Sequence, residues 1–269
     1  MNNKLLISGV LGLGTCMIYT PIHAGEAQAQ SKPNVLIIYT DDMGAGDVSF
    51  LNNGWVKTPN IDKLASGGLI VTNYYSSSPV SSPSRVGLTT GRFPTEMGIN
   101  CYLQTRKGNT ACEQFDYLDA SVPTMAKVMK SAGYTTGHFG KWHMGGGRDV
   151  IDAPQITEYG FDEYISTWES PNPDPVITDS AWIWSRTDQV KRWDRTAYFV
   201  DKTLDFLKRH KGEPCFVNLW PDDMHTPWVP SQKTMDSERT SWTTPPNFKE
   251  VLTEYDKQIG RLMEGLTKL

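Results

Sequence analysis

Hydrophobic and polar positions alternate along the chain in blocks that predict an α/β protein. A continuous apolar run that starts at Val35, and a second one within residues 214–220, have the pattern of strands buried on both faces. Residues 58–68 have the N-cap, first-turn proline and terminal glycine of a helix, and another helix is predicted from near Asn247 through Leu262. We therefore expect one domain with a mostly parallel sheet covered by helices on both sides.

The beginning of the chain has the pattern of a signal peptide. A lysine near the start precedes an apolar stretch over residues 5–19 and then small residues. We expect residues 1–24 to be cleaved, or 1–29 at an alternative site, and residues 31–269 to be exported to the periplasm or the outside of the cell. Cys16 follows a threonine where a lipoprotein box usually has Gly or Ala, so lipidation is the less favoured alternative. Beyond this leader, no apolar run approaches the roughly 20 residues that span a bilayer.

The charge balance and the cysteines narrow the classes of function. The net charge is −4, from 26 Lys and Arg against 30 Asp and Glu, and no basic run indicates a nucleic-acid partner. Cys101 and Cys112 flank a short polar loop that could close as a disulfide in an oxidising compartment. Cys215 lies inside an apolar strand and is expected to be buried.

Residues 81–92 read SSPSRVGLTTGR and contain the strongest candidate for reaction chemistry. Pro83 suits the first position of a helix, because its φ is already helical and its missing N–H would have no partner there. This places Ser81 just outside a helix N-terminus, where free backbone N–H groups and the helix dipole favour an anion. Arg85, about one turn into that helix, could direct its guanidinium at the same anion.

A pair of carboxylates follows the first predicted strand. Asp41 and Asp42 would lie at the carboxyl end of that strand, where the ligand-binding residues of open α/β sheets collect. Two adjacent carboxylates are costly to hold together unless a cation neutralises them, and Ca²⁺ prefers oxygen ligands of this kind. The alternative is that the two aspartates only cap the following turn.

Residues 132–145 carry two candidate basic side chains. They read AGYTTGHFGKWHMG, in which the ammonium of Lys141 suits the stabilisation of negative charge. The imidazole of His143 can handle a proton near neutral pH. His138 has no comparable support and is expected to be structural.

Residues 221–228 read PDDMHTPW and follow the second predicted strand. His225 in this turn is a candidate for general acid catalysis or for contact with the anion, and the sequence does not choose between them. Asp222 and Asp223 are interpreted as turn residues or substrate contacts rather than metal ligands.

Together and in this order, these segments resemble the type I sulfatases. The resemblance rests on S-x-P-S-R followed by L-T-T-G-R, on the aspartate pair, on TPNID at residues 58–62, on the GKWH segment and on the His-x-Pro turn. It implies an α/β fold like that of alkaline phosphatase, with a mostly parallel sheet between helices. It also implies that Ser81 is oxidised to formylglycine, whose hydrate is the nucleophile that attacks the sulfur of a sulfate ester.

The same resemblance implies the other components of the site. Binding of Ca²⁺ would fall to Asp41, Asp42 and Ser81. The catalytic and sulfate-contacting residues would be Ser81, Arg85, Lys141, His143 and His225. A serine at this position implies a radical-SAM maturase that acts before folding. The implied substrate is a sulfated carbohydrate or an aryl sulfate.

Four tryptophans gather where the regular alternation of elements breaks: Trp168, Trp182, Trp184 and Trp193. They would either stack on sugar rings or pack a small subdomain. Together with the predicted export, they favour a sulfated carbohydrate over a small aryl sulfate.

The chain departs from the family pattern at its carboxyl end. A sulfatase continues beyond the predicted last helix into a strand ending in Asp-Asn or Asp-His, then a lysine and a smaller domain, whereas this sequence ends at Leu269. We therefore expect the N-terminal part of a catalytic domain, without two of the calcium ligands. The alternatives are an inactive fragment or a remnant that binds sulfated glycans and, as a lesser one, a phosphoesterase of the same superfamily.

Overall fold

The computed structural model describes residues 32–51, 55–178 and 185–269. The predicted signal peptide with its alternative cleavage sites, Cys16, Trp182 and Trp184 all lie outside the described residues. Within the described ranges, no helix has both the length and the apolar character needed to cross a bilayer.

In the part of the chain that the structure describes, four parallel strands form a sheet in the order β1-β4-β2-β3. The strands are β1 Val35–Ile38, β2 Thr135–Gly140, β3 Glu163–Ser166 and β4 Cys215–Trp220. β4 pairs with β1 on one side and with β2 on the other, so its main chain is hydrogen-bonded along both edges. The predicted parallel sheet is confirmed, and the carboxyl ends of these strands lie along one edge.

Helices connect the strands and cover the sheet. The α-helices of the described residues are α1 Pro59–Ser66, α2 Ser81–Thr90, α3 Arg106–Ala111, α4 Met125–Ser131, α5 Arg195–Arg209, α6 Gln232–Asp236 and α7 Pro245–Leu266. Short 3₁₀ turns lie at Ala45–Asp47, Pro94–Met97, Ile156–Tyr159, Arg192–Asp194 and Arg239–Trp242. The predicted alternation of strands and helices is therefore present.

Local hydrogen bonds set the starts of the two helices predicted around residue 58 and residue 247. α1 starts after Thr58 as predicted, but the Thr58 hydroxyl donates to Asp62 and caps no helix N–H. α7 starts at Pro245, earlier than the predicted Asn247. The Thr244 hydroxyl accepts the N–H of Asn247, and prolines are tolerated in the first turn because their missing N–H groups would have no partner there.

The side chains of β4 alternate between the two faces of the sheet. Phe216 and Trp220 pack on one face with apolar residues of α2 and α4. Val217 and Leu219 pack on the other face with apolar residues of α5 and α7. Complete burial of side chains of this size contributes about 1.5–3 kcal/mol each. The strand next to the carboxylates is thus held from both sides.

His138 lies in the core, as part of β2. Its side chain is fully buried among the rings of Trp142, Phe161 and Trp220, at centroid distances of 5.0–5.4 Å. Burial lowers the pKa of its imidazole to about 3, so the ring is neutral at neutral pH. This position gives His138 a packing role.

The cysteines within the described residues are free thiols. Cys101 and Cys112 are both half-buried and form no disulfide. Desolvation, followed by the neighbouring Cys101 thiol, raises the pKa of Cys112, so the two residues lie close together. Cys215 is buried as expected.

Candidate active site

The candidate residues come from the carboxyl ends of the strands. Asp41 follows β1, Lys141 and His143 follow β2, and Asp222 follows β4. Because neighbouring parallel strands end at the same edge of a sheet, residues that are distant in sequence lie side by side there. Ser81 joins them from the start of α2.

Ser81, Asp41 and Lys141 form one hydrogen-bonded cluster. The Ser81 hydroxyl donates to Asp41 Oδ1 at 3.2 Å, and the Lys141 ammonium donates to Asp41 Oδ2 at 2.8 Å and to Ser81 Oγ at 3.0 Å. Asp41 and Lys141 are buried, whereas Ser81 is half-buried. The Ser81 oxygen is therefore the member of the cluster that a ligand can most readily reach.

Arg85 closes the cluster from inside α2. Its almost fully buried guanidinium donates to Asp41 Oδ1 and to the Lys141 carbonyl, both at 3.1 Å, and it lies over the ring of Trp220 at 5.2 Å. A buried charge is costly unless it is paired, and Asp41 supplies the pairing charge. Arg85 thus shares a carboxylate with Ser81.

The start of α2 differs from the prediction. The sequence places Ser81 just outside the helix, but α2 starts at Ser81 with Val80 as its N-cap. The Ser84 N–H donates to the Val80 carbonyl at 3.2 Å and closes the first turn there. Pro83 is tolerated inside this turn because the first four N–H groups of a helix have no intrahelical partner.

The surroundings of Asp41 favour its ionised form. Burial by itself raises the pKa of this carboxyl, but Lys141, Arg85 and His225 outweigh burial and hold the pKa well below its usual range. Asp41 is therefore a carboxylate at neutral pH, and its contact with Lys141 is an ion pair inside the fold.

His143 lies one contact further from Ser81. Its Nε2 faces the Leu103 carbonyl at 3.1 Å, and its Nδ1 faces Glu169 Oε2 at 3.3 Å. Its φ of 49° is in the left-handed region, and its backbone N–H donates to the Glu169 carbonyl at 2.9 Å. Burial lowers the pKa of the imidazole, while the Glu169 carboxylate opposes that shift. The ring contacts Leu103 and Glu169 rather than Ser81.

Glu169 is not among the residues predicted from the sequence, yet it connects three basic groups. Its carboxylate lies 3.1 Å from Arg148, 3.3 Å from His143 and 3.8 Å from Lys141. Burial raises the pKa of Glu169, but these basic groups outweigh burial and lower it. The available signal was an acidic residue in a loop of small, aromatic and proline residues. That loop follows β3, a short strand whose sequence has no clear pattern of hydrophobic and polar residues.

Asp42 and His225 contact each other. Asp42 has a φ of 55°, its side chain is 52% exposed, and its carboxylate faces His225 Nε2 at 3.6 Å. His225 Nδ1 lies 2.7 Å from the Thr226 carbonyl, next to a cis peptide bond between Thr226 and Pro227. The structure thus places His225 beside Asp42, a predicted metal ligand. The Asp42 carboxylate faces His225 and not Asp41.

Two arginines that were not predicted hold the turn after β4. Arg192 and Arg195 donate to Asp222 Oδ2 at 2.6 and 2.8 Å, and the Thr196 N–H donates to Asp223 Oδ2 at 3.0 Å. Both aspartates are buried. The two arginines outweigh burial and lower the pKa of Asp222 to about 2. Burial, against the pull of Arg192 and with help from Asp222, raises the pKa of Asp223 to about 6.

The chemical type of the oxygen donors at this site suits a hard cation. Asp41 Oδ1 and Ser81 Oγ lie 3.2 Å apart, and Asp42 is the next residue in the chain. Among the residues that the structure describes, no group of three or more His, Cys, Asp or Glu side chains is arranged to hold a metal ion. Since Ca²⁺ usually takes roughly six to eight oxygen ligands, these residues fit as a part of a calcium shell.

Known proteins identify the family of this chain. The family model described as Sulfatase matches residues 33–269, and the chain belongs to this family. The N-acetylgalactosamine-6-sulfatase of Homo sapiens is 28% identical over 267 residues, which cover 91% of this chain and 48% of that protein. The N-acetylgalactosamine-6-O-sulfatase of Bacteroides thetaiotaomicron is 26% identical over 324 residues, which cover 98% of this chain and 61% of that protein.

The fold is also similar to that of solved structures. One of them, described under the metabolism of multiple glycosaminoglycans by Bacteroides thetaiotaomicron, has a TM-score of 0.69 and 26% identity. The match covers 88% of this chain and 60% of that chain. The predicted resemblance to type I sulfatases and the predicted fold class are confirmed. The chain spans 48% and 61% of the lengths of its two curated relatives.

Proposed function

We propose that this chain carries the nucleophile and part of the anion-binding site of a sulfuric ester hydrolase. The observation that supports this most is the position of Ser81 Oγ, 3.0 Å from the Lys141 ammonium and 3.2 Å from the Asp41 carboxylate. An oxygen in this place has a donor for the negative charge that develops on it and an acceptor for its proton. The half-buried position of Ser81 leaves it accessible to a sulfate ester.

The proposed nucleophile is a modified residue 81. A plain serine hydroxyl is a weak nucleophile and needs activation. We propose that a radical-SAM maturase oxidises Ser81 to formylglycine before the chain folds. The hydrate of this group supplies one hydroxyl that attacks sulfur and a second hydroxyl whose deprotonation expels sulfate.

The neighbouring side chains would bind the anion and move protons. Lys141 donates to position 81 and stabilises negative charge there. Arg85, inside α2, adds a second positive charge next to Asp41. His143 is neutral at neutral pH, because burial lowers its pKa to about 4. Its ring does not contact residue 81, so a proton from there would reach it through Lys141. His225 is more exposed and would protonate the leaving alcohol or contact the sulfate.

We further propose that Asp41, Asp42 and residue 81 bind Ca²⁺, with water or further oxygen groups completing the shell. A bound divalent cation lowers the pKa of a hydroxyl that it contacts and offsets the charge of an anionic substrate. The ionised state of Asp41 supports this assignment, because a carboxylate ligates a cation only when it is deprotonated.

The proposed substrate is a sulfated carbohydrate, with an aryl sulfate as the alternative. The two curated relatives are named for the 6-sulfate of N-acetylgalactosamine. Trp168 is buried, with the Arg148 guanidinium 5.0 Å from its ring, which gives it a packing role. Trp193 is half-buried and borders an open cavity of about 660 Å³, but that cavity is lined mainly by α7 and by none of the candidate catalytic residues, so it does not bear on the substrate.

The test is to produce the chain with and without a radical-SAM maturase and to measure sulfate release from 6-sulfated N-acetylgalactosamine. The proposal requires that turnover appears only with the maturase, together with a loss of two hydrogens from the peptide that contains residue 81. Turnover should vanish in Ser81→Ala and in the presence of a calcium chelator. An active preparation whose residue 81 is unmodified serine would refute the proposed nucleophile.

Two further measurements separate the alternatives. Faster turnover of an aryl phosphate than of the matched aryl sulfate would identify a phosphoesterase. Retention on a sulfated resin without any turnover would identify an inactive chain that binds sulfated glycans.

A further inference from the structure

Glu169 is a buried carboxylate to which the proposed reaction gives no role. It follows β3 and reaches the edge of the sheet where the candidate residues lie. Its side chain contacts His143 at 3.3 Å and Arg148 at 3.1 Å, and its backbone carbonyl accepts the His143 N–H at 2.9 Å. Glu169 therefore binds the main chain of this histidine and places its carboxylate beside Nδ1, a buried atom that makes no hydrogen bond in this structure.

The ring of His143 faces two hydrogen-bond acceptors. Nε2 lies 3.1 Å from the Leu103 carbonyl, and Nδ1 lies 3.3 Å from the Glu169 carboxylate. A neutral imidazole carries one N–H, so it can donate to only one of them, and its other nitrogen then directs a lone pair at an oxygen. An imidazolium carries two N–H groups and satisfies both acceptors. The geometry thus provides a place for a second proton on this ring.

The charges around His143 act in opposite directions. Burial, Lys141 and Arg85 disfavour the protonated ring, and Glu169 and the Leu103 carbonyl favour it. Glu169 is itself ionised, because burial raises its pKa less than the protonated His143 ring, Lys141 and Arg148 lower it. Among the described residues, Glu169 is the carboxylate that faces the ring.

Close packing of two backbone segments keeps Glu169 in this position. Gly146 and Gly147 have φ values of 90° and 75° and lie against the backbone of residues 168–171. A Cβ atom on Gly146 would overlap the Pro171 backbone nitrogen, and one on Gly147 would crowd the Trp168 carbonyl at 2.8 Å. The loop that carries Lys141 and His143 is therefore pressed against the loop that carries Glu169.

We propose that Glu169 is a positioning residue of this site, which accepts the Nδ1–H of His143 when the ring is protonated and holds Lys141 beside it. When the neutral ring gains one proton, the new N–H is donated to Glu169, and Glu169 stays ionised. In turnover, that proton would be one lost by the hydroxyl groups of residue 81 and passed on by Lys141, which gives up one proton as it takes one; its ammonium lies 3.0 Å from Ser81 Oγ and 3.8 Å from Glu169. Only this last step rests on the proposed function, since the contact itself is independent of it.

An NMR titration of the His143 ring tests the inference without any turnover. It uses the full chain with unmodified Ser81, and the spectrum of His143→Gln assigns the signal. We expect Glu169→Gln to lower the pKa of His143 by about one unit or more, because an opposite charge within about 4–6 Å shifts a pKa by roughly 1–3 units. Glu169→Asp should retain most of the wild-type value. The matched control is Glu163→Gln on β3, which removes a carboxylate that pairs with Arg209 at the surface.

The outcomes are distinct. A His143 pKa in Glu169→Gln equal to that of the wild type, or an equal shift in Glu163→Gln, would overturn the proposal. If Glu169→Gln does not fold, the Nδ1 proton of His143 in the wild-type protein provides the test. A hydrogen-bonded proton on Nδ1 in the protonated ring supports the contact, and a freely exchanging one refutes it.

Kinetics of the matured enzyme then separate this role from the proposed function. Glu169→Gln should lower kcat more than it raises KM and move the limb of the pH profile that reports His143, with Glu169→Asp partly restoring both. A wild-type chain without turnover refutes the proposed function, while a shifted His143 pKa in the same chain would still support the contact.

Discussion

Lys141 donates to the Asp41 carboxylate at 2.8 Å, although 100 positions separate the two residues in the chain. β1 and β2, which precede them, are not neighbours, because β4 lies between them in the sheet. The ion pair therefore bridges β4 at its carboxyl end. Both side chains are almost completely buried, so water screens the pair little. This single contact depends on the correct order of three strands.

Lys141→Met should lower the free energy of unfolding by about 3 kcal/mol, since removal of one partner leaves the buried Asp41 with Arg85 alone. Urea unfolding at neutral pH measures this. The matched control is Lys130→Met, which breaks a pair with Asp162 at the surface, where both side chains are at least one-third exposed. That change should cost less than about 1 kcal/mol. Equal losses in the two variants would contradict a dominant effect of burial.

Asp223→Asn should stabilise the protein at pH 8 but not at pH 4. Burial is the first cause that raises the pKa of Asp223 from 3.8 to about 6 in the folded state. The folded state therefore holds the proton more tightly than the unfolded chain, and stability falls as pH rises from about 4 to about 6. Asparagine cannot ionise, so above that range the variant should lack this loss of about 3 kcal/mol.

The measurement that checks this is the free energy of unfolding of the wild type and of Asp223→Asn at pH 4 and pH 8. Asp236→Asn removes one carboxylate at an exposed position and serves as the control for a change of net charge. A gain for Asp223→Asn that is larger at pH 4 than at pH 8 would contradict the sign of this argument.

Three members of the central cluster could be predicted because each lies in a segment with a clear local pattern. Asp41 follows an apolar strand, Ser81 precedes a proline at a helix start, and Lys141 lies in the GKWH segment that carries the family resemblance. Parallel strands end at one edge, so pattern alone indicates that such residues meet. The resemblance to a family then supplied the expected chemistry.

Other parts of the site follow from tertiary contacts that no local pattern indicates. Glu169 and Arg192 lie in or beside a stretch without regular periodicity, and their roles depend on partners from other loops. Asp42, which contacts His225, has a positive φ, and this is uncommon for a residue other than glycine. The start of α2 at Ser81 was set by the Val80 carbonyl rather than by the proline.

Asp42→Asn should weaken the binding of Ca²⁺ by about tenfold or more, because loss of a negative ligand reduces both charge and donor strength. Calorimetry with calcium alone, on the chain with unmodified Ser81, measures this directly. Asp47→Asn is the matched control, since Asp47 is a half-buried aspartate nearby in sequence whose carboxylate accepts the Gly44 N–H. Equal calcium affinity in Asp42→Asn and the wild type would exclude Asp42 as a ligand.

Gly140→Ala should disrupt the site through the backbone. Gly140 ends β2 directly before Lys141, with a φ of 133°, and a Cβ atom there would overlap the Trp220 carbonyl. That same carbonyl accepts the Lys141 N–H at 2.9 Å. Relief of the overlap must therefore move β2 away from β4 and loosen the bond that sets the position of Lys141. We expect a loss of stability of about 3 kcal/mol or more, from strain and overlap together.

Gly212→Ala is the matched control for this prediction. Gly212 also has a positive φ, of 95°, but a Cβ atom there would meet no atom within 4 Å. Gly212→Ala should therefore cost only the strain of an unfavourable backbone conformation, about 1–2 kcal/mol. Urea unfolding of the two variants isolates the overlap as the difference between them. Equal losses would mean that backbone conformation alone, and not the close approach of β2 and β4, requires glycine at position 140.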